Sequence, residues 1–309
     1  MAMMDEYFDI QVNGYAGTDF NADALTPEEM HRACRRLLDD GVSGILATVI
    51  TDDVDRMAAR LTNIAAIRRC DPLVEQMIVG IHVEGPFINP APGYVGAHPP
   101  AAVRAADPDV IKRLLEAADG LTRIVTLAPE QDADLRVTKM LARLGVVVAA
   151  GHCNPTTDQL RAAIDAGVSM FTHLGNGCPL ELPRHDNIVQ RVLDLADRLT
   201  ISFIADGAHV AFVALRNYLR LIPPAHVIIT SDAISAAGCG PGTYTVGDQT
   251  VEVGDELVPR SNEHPNFVGS ACTMQCMAEN LRRHLRADDQ QIRQWMFENP
   301  RRVAKRGHH

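Results

Sequence analysis

An alternation restricts the fold more than any other feature of this chain. Eight short apolar runs, at residues 8–12, 44–49, 77–83, 123–127, 146–150, 169–172, 200–204 and 227–230, are mostly followed by stretches of helical periodicity, at 27–39, 53–68, 108–118, 131–144, 156–166, 188–197, 210–220 and 272–286. Strands alternating with amphipathic helices imply a parallel sheet. Eight such units over a span near the ~250 residues typical of the fold point to a TIM-type (β/α)8 barrel. A doubly wound open sheet gives the same alternation, but it wants a glycine-rich phosphate turn after the first strand, and Asn13-Gly14-Tyr15-Ala16-Gly17 matches that fingerprint poorly. The first helix is well signalled: Thr26 as N-cap, Pro27 at the first position, Glu29 closing a capping box and Gly41 as a stop. Residues 235–268 break the rhythm with Gly and Pro. Alternation at 244–246 and 250–253 around Gly247-Asp248 predicts a small β-hairpin insertion after the eighth strand. The expectation is an α/β chain folding as one barrel domain over residues 1–306, with Gly307-His308-His309 read as the remnant of a purification tag.

Composition narrows the partners. The net charge of −10 argues against nucleic acid or an anionic membrane, although a local cationic cluster can still oppose the global sign for a small anion. Seven cysteines, odd in number and without a Cys-x-x-Cys pair, fit reduced thiols in a cytoplasm. Cys272 and Cys276, one helical turn apart, read as buried helix residues. With no signal peptide and no apolar run near 18 residues, a cytoplasmic protein is expected.

Function is written at the strand ends. The run "MIVGIHVEGPF" finishes on Glu84, "VVVAAGHCN" on His152 and "SMFTHLGN" on His173; "SFIADGAHV" reaches His209 and "HVIITSDAI" ends on Asp232. In a barrel the C-terminal strand ends converge on one face, so residues as distant as Glu84 and Asp232 can meet. One carboxylate and two imidazoles with an open position make a catalytic zinc-type ligand set, and the same ligands suit other divalent ions. Any single histidine here could equally be a cap or a packing residue; the joint pattern favours a metal site.

The segments "HVEGPF", "GHCNPT", "THLGNG", "DGAHV", "SDA" and "GSACTM", in that order between Asp9 and about Arg302, resemble the N-acetylglucosamine-6-phosphate deacetylases of the amidohydrolase superfamily. The resemblance implies that Glu84, His152 and His173 bind a divalent metal ion, zinc or iron, and that Asp232 is the catalytic aspartate. It implies that His98, in "GAHPP", contacts the substrate carbonyl and that His209 binds substrate. Asn176 and Gly177 match positions that hold the sugar phosphate. Arg184 matches an arginine that reaches the phosphate across a homodimer interface, against the plainer reading of a solvated loop arginine. The implied reaction is hydrolysis of the acetamide of N-acetylglucosamine 6-phosphate to glucosamine 6-phosphate and acetate.

Two departures stand out. Gln11-Val12-Asn13 occupies the place where many amidohydrolases carry His-x-His, and neutral amides are poor ligands beside imidazole, so one metal is expected rather than two. The β-sandwich usual in the family is expected to be lacking, because the first strand falls within ten residues of the start and little follows Asn299-Pro300. His82 shares a strand face with Glu84 and reads as a supporting residue. His31 and His226 read as surface or cap residues, His185 has no clear role, and Asp206 reads as a turn former able to steady His209. Rival readings are an amidohydrolase acting on a cyclic amide, an amine or another acetamido sugar, and a sugar-phosphate-binding protein without catalysis.

Overall fold

Every residue of the first barrel strand, Tyr7–Val12, is buried, as expected of a parallel strand covered on both sides. The seven that follow are Val42–Ile50, Ile78–Glu84, Thr122–Leu127, Val147–Ala150, Val168–Phe171, Thr200–Phe203 and Val227–Ile229, joined side by side in chain order. The structure is a computed structural model that describes residues 6–246, 249–261 and 267–305. The proposed tag residues and the Gly247-Asp248 turn lie outside the described residues. Neighbouring strands pair in parallel throughout. First and eighth meet at a seam made by a parallel bridge, Val12 to Ala233. Hydrogen bonds from Asn13 N (2.7 Å) and Gly14 N (3.1 Å) to Ala233 O reinforce it.

Two apolar layers hold the barrel. Outward strand residues such as Ile45, Val49 and Val125 pack on helix residues Met30, Leu37, Met57, Leu61 and Leu114. Each such fully buried side chain contributes about 1.5–3 kcal/mol. Inside, Phe8, Ile10, Leu46, Ile124, Met170 and Ile228 meet Phe297, Val303 and Ala304 from the C-terminal helical segment. That segment plugs the N-terminal end of the barrel and leaves the opposite mouth to polar residues. Pairing between the first two strands slips by one residue between Asp9 and Val12 (Asp9↔Ile45, then Val12↔Ala47). Such slips re-aim side chains near active sites; here the backbone N–H of Gln11 donates to Asp9 Oδ1 (3.2 Å) and the Gln11 side chain reaches the mouth.

The capping box of the first helix, Pro27–Asp39, forms as the sequence predicts, with Thr26 and Glu29 bonded reciprocally. Other elements depart from expectation. The helix expected at 131–144 starts only at Arg136, because the Asp132 carboxylate binds Val137 N (3.1 Å) and Thr138 N (2.7 Å) and sets the first turn there. The helix expected at 272–286 is Met274–Asn280 followed by a wider turn, Leu281–Leu285. Two short helices, Asp289–Arg293 and Asn299–Ala304, then complete the plug. The hairpin insertion is present as Gly242–Val246 and Gln249–Val253, and a third strand, Pro259–Ser261, adds to it. Among the described residues no helix is long and apolar enough to cross a membrane, and all seven cysteines are free thiols.

Candidate active site

The third, fifth, sixth and eighth strands deliver Glu84, His152, His173 and Asp232 to the open mouth. Three of these adopt left-handed backbone: His152 (φ 49°), His173 (φ 32°) and Asp232 (φ 51°). A non-glycine residue held there costs about 1–3 kcal/mol, and such residues cluster where side chains must be aimed. All four side chains are buried.

Glu84 Oε1 is the meeting point. His173 Nε2 lies 2.8 Å from it and His152 Nε2 3.4 Å. The Gln11 amide N–H₂ donates to the same oxygen at 3.1 Å, and Thr172 Oγ1 fixes the Gln11 carbonyl at 2.9 Å. Burial alone would raise the Glu84 pKa, but hydrogen bonds and charge from His152 and His173 outweigh it and hold the carboxylate well below its usual range. For His173, burial opposes protonation while the Glu84 carboxylate favours it, and the net shift is upward.

The donor set fits a divalent cation. His152 Nδ1 faces the Tyr94 carbonyl at 2.8 Å, and a carbonyl only accepts, so Nδ1 carries the proton. With Nδ1 committed to that carbonyl, Nε2 is the ring atom left to face Glu84, and its lone pair is the one a cation between the two would take. Two donors bound at 2.0–2.2 Å to a tetrahedral ion stand about 3.3 Å apart, close to the Glu84–His152 spacing of 3.4 Å. His98 crowds the same point: Glu84, His98 and His152 present ligand-capable atoms within 4.8 Å of one another. The His98 ring meets the His152 ring edge-on at 4.5 Å, and burial drives its pKa down to about 3. Glu84 and His152 are thus approached from two sides: His173 reaches Glu84 Oε1 at 2.8 Å, but among the described residues it is His98, not His173, that completes a cluster with all ligand-capable atoms within 4.8 Å.

Asp232 faces this cluster. Burial, then repulsion from Glu84, raises its pKa, while His173, His209 and a hydrogen bond from Asn13 pull the other way. Asn13 Nδ2 donates to Asp232 Oδ1 at 2.7 Å. Behind it, Asp9 accepts from Thr230 Oγ1 (2.5 Å), from Ser231 N (3.2 Å) and from the Ser231 hydroxyl. His209 Nδ1 bonds Asp206 Oδ2 at 2.6 Å, and Asp206 Oδ1 also binds the backbone N–H groups of Ala208 and His209. Asp206 thus forms the turn and steadies the histidine, leaving His209 Nε2 buried without a partner.

A cavity of about 770 Å³ opens over these groups, lined by Glu84, His98, His152, Asn176, Gly177, His209 and Asp232. His173 lies beneath it, buried. Arg184 is exposed and outside the lining, as is His185. His82 bridges Ile10 O (3.2 Å) and Thr126 Oγ1 (2.7 Å), tying the third strand to the first and the fourth; His31 pairs with Asp71 and His226 with Ala196 O at the periphery. Sequence reasoning gave no role to Asp9, to Asn13 beyond the missing His-x-His, to the Tyr94 carbonyl, or to Arg260 and Phe267, which line the cavity beside His209. The polar run Asp9-x-Gln11-x-Asn13 inside a buried strand was a legible signal; Tyr94 and Arg260 had none.

No family model matches the chain. It is 34% identical over 257 residues to an N-acetylglucosamine-6-phosphate deacetylase of Bos taurus, a stretch that covers 80% of this chain and 61% of that protein. It is 29% identical over 278 residues to an N-acetylgalactosamine-6-phosphate deacetylase of Escherichia coli O157:H7, covering 89% and 71%. Among solved structures, a mutant N-acetyl-D-glucosamine-6-phosphate deacetylase from Mycobacterium smegmatis, in complex with N-acetyl-D-glucosamine-6-phosphate, aligns with a TM-score of 0.86 at 30% identity over 97% of this chain and 77% of that one. Parallel eight-stranded architecture with carboxylate and imidazole donors at the strand ends makes this an amidohydrolase barrel. The chain spans less than two thirds of the bovine protein's length. It belongs to the N-acetylglucosamine-6-phosphate deacetylase family.

Proposed function

We propose that this chain hydrolyses the acetamide of N-acetylglucosamine 6-phosphate, with one divalent ion, zinc or iron, held by Glu84, His152 and His173. The observation that carries the reading is the convergence of two imidazole Nε2 atoms on a single buried carboxylate oxygen, 2.8 and 3.4 Å away, with Asp232 facing them. When bound, such an ion supplies Lewis-acid activation of water and of the amide carbonyl. Gln11 supports a single ion, since its N–H₂ points at Glu84 and offers a donor, not a lone pair.

The remaining chemistry falls to the side chains. Asp232 takes the proton of the attacking water; Asn13 occupies Oδ1 and leaves Oδ2 for the transfer. The same proton then passes to the departing nitrogen, so that the C–N bond breaks to give the amine and acetate. Neutral His98 donates an N–H to the carbonyl oxygen as negative charge develops there; removing one such donor typically costs ~3–4 kcal/mol. Asn176 and Gly177 hold the phosphate end, and His209, with Nδ1 committed to Asp206, turns Nε2 toward it. Arg184, exposed here, supplies the phosphate cation of the neighbouring protomer in a cytoplasmic homodimer.

A second substrate, the galactosamine epimer, is favoured by the 29% identity to an N-acetylgalactosamine-6-phosphate deacetylase over 71% of its length. An acetate-release panel over both epimers, each with and without the 6-phosphate, tests the proposal. Release from N-acetylglucosamine 6-phosphate that exceeds the others supports it. Equal or greater release from the other epimer transfers the assignment, and no release from any acetamido sugar refutes it.

A further inference from the structure

Glu130 sits just past the fourth strand, Thr122–Leu127, outside the cavity lining, and has no part in the chemistry above. Its Oε1 accepts two hydrogen bonds, from Asn89 Nδ2 at 2.9 Å and from Asn154 N at 2.5 Å. Its Oε2 is buried and has no partner. Asn89 follows Glu84 on the loop leaving the third strand, and Asn154 follows His152 on the loop leaving the fifth. One carboxylate oxygen therefore joins the two segments that carry Glu84 and His152. The same segments are tied again where Asn89 N donates to His152 O at 2.9 Å. Tyr94, whose carbonyl fixes the His152 ring, lies farther along the Glu84 loop. On the far side, Arg191 Nη1 holds Asn154 Oδ1 (3.0 Å) and Pro155 O (2.9 Å).

A buried carboxylate oxygen without a partner is expensive, and burial raises the Glu130 pKa accordingly. The geometry points to Glu130 as a positioning residue that sets the separation of Glu84 and His152 and through it the affinity of the site for its ion. This rests on the reading that Glu84, His152 and His173 hold that ion.

The test is a competition titration of zinc into chelator-stripped protein, with thermal melts of the metal-free forms alongside. Loss of a residue that orients ligands typically costs 10–100-fold in metal affinity, and Glu130→Ala is expected to lose that much. Glu130→Gln, which keeps an acceptor oxygen in place, recovers most of it. Asn89→Ala, which cuts one arm only, falls between Glu130→Ala and the wild type. A merely structural cap would lower the melting temperature of metal-free Glu130→Ala and leave zinc affinity at the wild-type value, and that result overturns the inference. If Glu130→Ala does not fold, Asn89→Ala decides alone, and unchanged affinity there has the same force. Failure of the wild type to bind zinc is a separate outcome, visible before any variant is read, and it sinks the metal reading together with the inference.

Discussion

Asp9 offers a perturbation whose size follows from the structure. Its carboxylate is fully enclosed between the first and eighth strands, and burial raises its pKa from 3.8 to about 6, against hydrogen bonds from Ser231, Thr230 and Gln11 that pull it down. An acid whose folded pKa lies above its unfolded one binds more protons folded than unfolded between those two values. Stability therefore falls as pH rises from the unfolded pKa through the folded one, and is flat above. At 1.36 kcal/mol for each tenfold change in proton affinity, a rise from 3.8 to about 6 amounts to about 3 kcal/mol. Integration of the two titrations puts about 2 kcal/mol of this between pH 4.5 and 7. The perturbation is Asp9→Asn, which cannot titrate. The assay is urea unfolding of metal-free wild type and variant across that pH range, so that the difference cancels every other group. The wild type should lose about 2 kcal/mol relative to the variant on going from pH 4.5 to 7. Parallel pH profiles would show that the hydrogen bonds, not burial, govern Asp9, and would refute the reasoning.

Asn13→Ala removes the hydrogen bond from Asn13 Nδ2 to Asp232 Oδ1. Loss of a bond to a charged group, about 1.5–3 kcal/mol, should lower kcat roughly ten- to a hundredfold while KM stays near wild type in steady-state acetate release. Gly151→Ala would drive a methyl into Thr172 Cγ2 and to within 2.9 Å of Thr126 Cγ2, directly before His152. Overpacking of that kind costs about 1–3 kcal/mol, and both the melting temperature and the metal content should fall. Arg184→Ala should raise KM for the phosphorylated sugar and leave the unphosphorylated one unchanged. Mixing Arg184→Ala subunits with an inactive Asp232→Asn partner should restore part of the affinity if the arginine acts between protomers.

The barrel was legible because the strands are largely apolar runs that alternate with helical stretches, and five of them lead into a polar residue at or just past the end. The strand ends that carry Glu84, His152, His173 and Asp232 fell where the apolar runs stop. What escaped was set by contacts between segments far apart in the chain. The third strand of the insertion, Pro259–Ser261, has little alternation of its own and exists because it completes a sheet over Val251 and Val253. The start of the helix at Arg136 depends on one aspartate choosing Val137 and Thr138 as partners. The C-terminal plug shows no simple helical period because Trp295, Met296 and Phe297, consecutive in sequence, are all buried under the barrel. His98 reads in sequence as a carbonyl contact, yet it lies close enough to Glu84 and His152 to compete as a ligand. No spacing argument weighs those two roles.

The competition between His173 and His98 for the place of third ligand makes the most direct test of the central claim. Metal content per chain, measured by elemental analysis after reconstitution and desalting, should be one in the wild type and near zero in His173→Ala. It should remain one in His98→Ala, even as that variant loses acetate release. Retention of the ion by His173→Ala, or its loss from His98→Ala alone, would contradict the assignment of Glu84, His152 and His173 as the metal site.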